Sequence, residues 1–136
     1  MPVTIDTADE HLTFEASFTP DDSLAQLIDN LLVVLSSDGT ASVTWCSEPV
    51  EYVFTFTTEG EVTNLTIRAF PDHRRAPGKE RNVLTVQIDR QVLVRSFWRA
   101  LRRLQTQDDF ALQWHRPFPH TALAQLSTIL LASQTA

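Results

Sequence analysis

Side chains able to act as nucleophile, base or ligand include one cysteine, four histidines and several close carboxylates, among them Asp21-Asp22, Glu59 with Glu61, and Asp108-Asp109. Nucleophilic catalysis needs a thiol beside a base, yet Cys46 stands in a strand-like segment and His11, His73, His115 and His120 lie in unrelated ones. His115 and His120 are five residues apart across two prolines, a separation that fits neither a helical i, i+4 ligand pair nor a zinc-finger spacing. Asp21-Asp22, Glu59 with Glu61, and Asp108-Asp109 could divide acid and base roles, but each stands where a turn or a helix start already asks for a carboxylate. Three glycines, all in turn contexts, form no loop that could cradle phosphate. The sequence therefore predicts no catalytic residue, no metal ligand and no cofactor, and the protein is expected not to be an enzyme.

Recognition is better supplied. Arg95, Arg99, Arg102 and Arg103 fall within about a quarter turn of one another on one helix, and a guanidinium is a planar, bidentate donor for carboxylate or phosphate. Arg74, Arg75, Lys79 and Arg81 add a second basic cluster in a polar segment. All eleven basic residues lie from Arg68 to Arg116, whereas twelve of the seventeen acidic ones precede Arg68. Such segregation either becomes internal pairing on folding or survives as two oppositely charged surfaces. Glu48, Glu51, Glu59 and Glu61, at predicted strand ends, are the candidate contacts on the acidic side. Trp114-His115-Arg116-Pro117-Phe118-Pro119 sets aromatics in a stiff backbone, which suits either a binding edge anchored by Trp114 or a plug at the end of the core.

The elements that must position these residues follow from periodicity. Leu12, Phe14, Ala16 and Phe18 alternate with polar residues from His11 to Phe18, a half-buried strand. Thr19-Pro20-Asp21-Asp22 reads as an N-cap, a proline at the first helical position and an acidic first turn, opening a helix to about Ser36. Four further alternating segments, broken at Ser47-Glu48-Pro49, Glu59-Gly60 and the loop Pro71 to Glu80, form a meander with one apolar face and one rich in threonine. Asp89 caps a second helix to about Gln105, and a third, without charged residues, runs from about 120 to 133. The fold class is α+β in a single domain over 1–136: an antiparallel sheet of about five strands with three helices on one face, in the order β-α-β-β-β-β-α-α. The final helix, apolar over most of its circumference, is expected to be buried in the fold or in a homodimer contact.

Composition narrows the classes. The single cysteine cannot form an internal disulfide, and the acidic first residues carry no basic and apolar signal-like segment, so a reducing, cytoplasmic setting is expected. Apolar runs are far shorter than the roughly 20 residues that span a bilayer, so no membrane partner is predicted. A pI of about 5.0 weighs against general nucleic-acid binding.

Trp45-Cys46-Ser47-Glu48-Pro49-Val50-Glu51-Tyr52, Phe97-Trp98-Arg99-Ala100-Leu101 and His115-Arg116-Pro117-Phe118-Pro119 together resemble small bacterial α+β proteins of uncharacterised role, some of which look like immunity proteins of toxin systems. The resemblance covers about residues 40 to 130, and its motifs are structural, so it assigns no active site. It implies a protein-binding role. The expectation is a non-enzymatic, cytoplasmic protein-binding module, of the immunity type, whose acidic half inhibits a basic partner. Two alternatives stand beside it: an arginine-mediated binder of nucleic acid or an acidic ligand, and a structural homo-oligomer.

Overall fold

A computed structural model describes residues 1–134, with side chains through Ala132. Its elements run β1 (Pro2–Asp6), β2 (His11–Glu15), α1 (Ser23–Ser36), β3 (Gly39–Ser47), β4 (Val50–Glu59), β5 (Val62–Phe70), β6 (Arg81–Asp89), α2 (Arg90–Gln105), α3 (Phe110–Trp114) and α4 (His120–Gln134). The class is α+β, as the alternating segments predict. The layout differs: a four-stranded antiparallel meander, β3-β4-β5-β6, accompanies a separate two-stranded sheet, β1-β2.

In the meander, Val43, Phe54, Ile67 and Leu84 face one another across all four strands, and one residue along, Ser42, Thr55, Thr66 and Thr85 do the same. Because side chains alternate at every step, these two rows lie on opposite faces. The apolar row is fully buried. The hydroxyl row lies on the open face, where Ser42 and Thr55 Oγ atoms approach to 3.3 Å. Arg75 closes one end of that face. Its guanidinium lies 5.0 Å from the Phe70 ring centre, and its Nε donates to Glu51 Oε1 at 2.8 Å.

The His11 strand does not join the sheet as a fifth member. β2 pairs with β1, Val3 opposite Phe14 and Ile5 opposite Leu12, and the hairpin lies across the apolar face. The Phe14 ring stacks on Tyr52 at 4.2 Å and meets Trp45 and Phe54 edge-on at 6.2 Å. A ring stacked over a sheet residue belongs to a second layer, so burial of Phe14 rather than backbone pairing sets the position of β2. The chain rejoins the sheet at a single bridge, Ser17 to Cys46.

α1 starts at Ser23 and not at Pro20, because Asp22 is the cap: its Oδ1 accepts from Ala25 N at 3.2 Å. The Thr19 hydroxyl donates to Glu48 Oε1 at 3.4 Å. Asp89 caps α2 as predicted, accepting from Gln91 N and Val92 N at 2.9 and 3.1 Å. α1 and α2 cover the sheet, and α4 packs on those two helices, so the third helix is a further layer behind them. Leu123, Leu126 and Leu130 are buried there, and Trp98 Nε1 donates to Ser127 Oγ at 2.7 Å. The expectation of burial within the fold is corrected for the final helix, where Ile129 is 40% exposed and Leu131 49%; a homodimer contact is a separate question. Intrahelical bonding satisfies the backbone of α4, so a polar or charged outer face is not required for it to meet solvent. No helix among the described residues is long and apolar enough to cross a membrane.

Candidate functional site: the groove between β1 and α2

β1 is paired along one edge only, to β2. Beyond its other edge a cavity of about 720 Å3 opens between the strand and α2. This lies within the roughly 300–1,000 Å3 typical of ligand sites. The floor is the apolar face of the sheet, where Val86 and Ile88 are half-buried over the buried side chains of Trp45, Phe54 and Leu65, while Leu24 and Leu27 of α1 close the back. The far wall is the stripe Leu93, Phe97, Ala100, Leu101 and Leu104 of α2, spaced so that each successive turn presents an apolar side chain. The near wall is β1 itself, with Val3 and Ile5 turned inward from a strand whose alternate residues are exposed. The hairpin layer and α2 stand apart over one sheet, and the space between them is the groove.

Polar groups on this lining are few. Arg103 and Gln107 come from the C-terminal end of α2, and Asp6 and Thr7 from the end of β1. Asp6 Oδ1 is held by His11 Nδ1. Arg103 is exposed, and no carboxylate lies within ion-pair distance of it among the described residues. On the floor, Trp45 is almost wholly buried and its Nε1 has no hydrogen-bond partner. Arg99, one turn before Arg103, is also exposed. Arg102 stacks over Trp98 at 5.3 Å, and Arg95 is half-buried.

The remaining residues marked by the sequence scatter. Glu48 accepts from the hydroxyls of Ser17 and Thr19, and Glu51 is occupied by Arg75, leaving its side chain only 12% exposed. Glu59 and Glu61 are exposed at the opposite end of β4, which at about 3.4 Å per residue is roughly 30 Å away. The four glutamates therefore form no single surface. Trp114 is not an anchor for a partner: it is 0% exposed, packed 6.2 Å from Trp45. A short helix, α3, turns it inward, and His115, at φ 60°, ends that helix. Arg116 then secures the following turn by donating to Phe18 O at 2.8 Å and Pro20 O at 3.3 Å.

Arg75 with Glu51 and Arg90 with Asp38 are ion pairs that join the acidic and basic halves. At the second, Asp38 Oδ2 accepts from Gly60 N at 3.3 Å, and this backbone bond, followed by the Arg90 guanidinium, holds the Asp38 carboxyl below the ordinary aspartate value. No group of three or more potential metal ligands occurs among the described residues. Sequence reasoning placed Arg103 but missed the groove beside it, because Val3 and Ile5 alternate over too short a run to register as a strand. Against known proteins the chain matches no family model, no curated protein and no solved structure.

Proposed function

We propose that the protein is a non-enzymatic binding module whose ligand lies in the groove between β1 and α2. The observation that carries this is the groove itself: an open, apolar space beside the free edge of a strand, floored by core side chains and bordered by an exposed arginine. Leaving Phe97, Leu104, Val86 and Ile88 only half-buried along an unfilled space forgoes burial worth about 25 cal/mol per Å2, so an apolar group that covers them binds with that same driving force. A wall of aliphatic and aromatic side chains with one guanidinium suits holding a molecule rather than transforming it. The test is titration with the neutral fluorescent probe N-phenyl-1-naphthylamine. Saturable binding at one site is expected, weakened about tenfold in Ala100→Phe, which narrows the groove from an exposed wall position. Equal binding by a variant with unchanged thermal stability, or no binding to the parent protein, would remove this reading.

A second reading keeps the immunity-type role. Asp38, Glu59, Glu61 and Asp89 gather at one end of the sheet, where Arg90 N donates to Glu61 O at 2.8 Å. Complementary potential there would favour a basic protein partner. Its expected signature is salt-dependent association with such a partner, lost in a Glu59→Lys, Glu61→Lys double variant. Affinity unchanged by the double reversal would set this reading aside.

A further inference from the structure

We infer that the occupant of the β1–α2 groove is a free amphipathic carboxylate, an alkyl chain lying along β1 with its anionic head at Arg103. The inference rests on the groove being the binding site and names the chemistry of what fills it. Three features of the lining carry it.

The first is shape. All residues from Met1 to Ala8 border the groove, and the five-residue strand among them spans about 17 Å, comparable with an extended dodecyl chain. The second is the polarity of the two walls. A peptide laid along β1 could pair one of its backbone edges with the strand. Its other edge would face Leu93, Phe97, Leu101 and Leu104 of α2, a helix whose own backbone groups are already bonded. Each backbone N–H or C=O buried there without a partner costs about 1–3 kcal/mol by protein mutational data. An alkyl chain carries no such groups and loses nothing on that side. The third is charge. Arg103 borders the groove without an ion-pair partner among the described residues, and the exposed Arg99, one turn away on the same helix though not on the lining, adds a second positive charge nearby. The nearest opposing carboxylate on the lining, Asp6, is engaged by His11. A carboxylate can take two parallel donors from the Arg103 fork on its two charged oxygens, whereas an alcohol offers a single neutral oxygen and a quaternary ammonium offers no acceptor.

The experiment compares three probes of equal chain length, each titrated calorimetrically below its micelle concentration and by displacement of N-phenyl-1-naphthylamine: dodecanoate, dodecanol and dodecyltrimethylammonium. Dodecanoate is expected to bind at one site about tenfold more tightly than dodecanol, and the ammonium more weakly than either. In Arg103→Gln the advantage of dodecanoate over dodecanol should vanish while dodecanol binds as before, and rising salt should narrow the gap in the parent protein. If dodecanol or the ammonium matches dodecanoate while the naphthylamine still binds, the anionic head is wrong and the groove reading stands. If Arg103→Gln leaves the preference intact, the head does not sit at Arg103 and the inference falls. If the naphthylamine does not bind the parent protein, the groove reading fails and this inference with it.

Discussion

Asp38 shows how a surface carboxylate is put to use. It receives the Gly60 N–H of the β4–β5 hairpin and pairs with Arg90 at the start of α2, so it links the end of α1, a hairpin and a helix N-terminus. These contacts favour the ionised form and lower its pKa. A carboxyl so shifted stabilises the fold above its unfolded pKa and loses that contribution as pH falls through the folded one. Asp38→Asn is therefore expected to lower the melting temperature slightly at neutral pH, with the two proteins converging as the pH drops through the acid carboxylate range. Melting curves at stepped pH values check this, and a constant offset would contradict it. Asp89 acts more locally. Its carboxylate meets two N–H groups that α2 cannot satisfy internally, so Asp89→Ala should cost about 1 kcal/mol in urea unfolding.

Among the elements, α4 separates propensity from burial. Its sequence has no charged residue, and among its described side chains the helix sorts into a buried line of Leu123, Leu126 and Leu130, the half-buried Ala122 and Ser127, and exposed positions on the other side. The sorting comes from the V between α1 and α2, which receives one stripe only. Leu126→Ala should therefore destabilise by about 2–5 kcal/mol, since it empties a closed site. Leu131→Ala should stay within about 0.5 kcal/mol, as expected of a surface change. Chemical denaturation of both variants tests the contrast. The β1-β2 hairpin is the opposite case. Two strands alone are marginal in water, and this pair is held by Phe14 over Tyr52, Trp45 and Phe54. Alternation made β2 readable in the sequence. It could not say whether β2 extends the sheet or crosses it, because period 2 reports which face is apolar and not what covers it.

For the whole molecule, segregated charge resolves into local arrangements. Glu51 and Asp38 find Arg75 and Arg90 across the divide, Glu48 turns to hydroxyls, and Arg99, Arg102 and Arg103 remain on the surface of α2, with Arg103 alone of the three on the lining of the groove. The exposed apolar residues of α4 make no common patch, since Ile129 and Leu131 point about 200° apart around the helix axis. We accordingly expect a monomer by light scattering at micromolar concentration; a dimer abolished by Leu131→Glu would reverse that and restore the final helix as an interface.

The meander, its apolar and hydroxylic faces, the Asp89 cap and the arginine stripe are all legible in the order of residues, because each follows from neighbours a few positions apart. The interior place of Trp114, against Trp45, and the facing of Val3 and Ile5 toward Leu93 and Phe97 across an open space came from the packed fold alone. Those relations join segments that are distant in the chain. They depend on how a hairpin and a helix share the width of one sheet, a competition for apolar surface that no local pattern records.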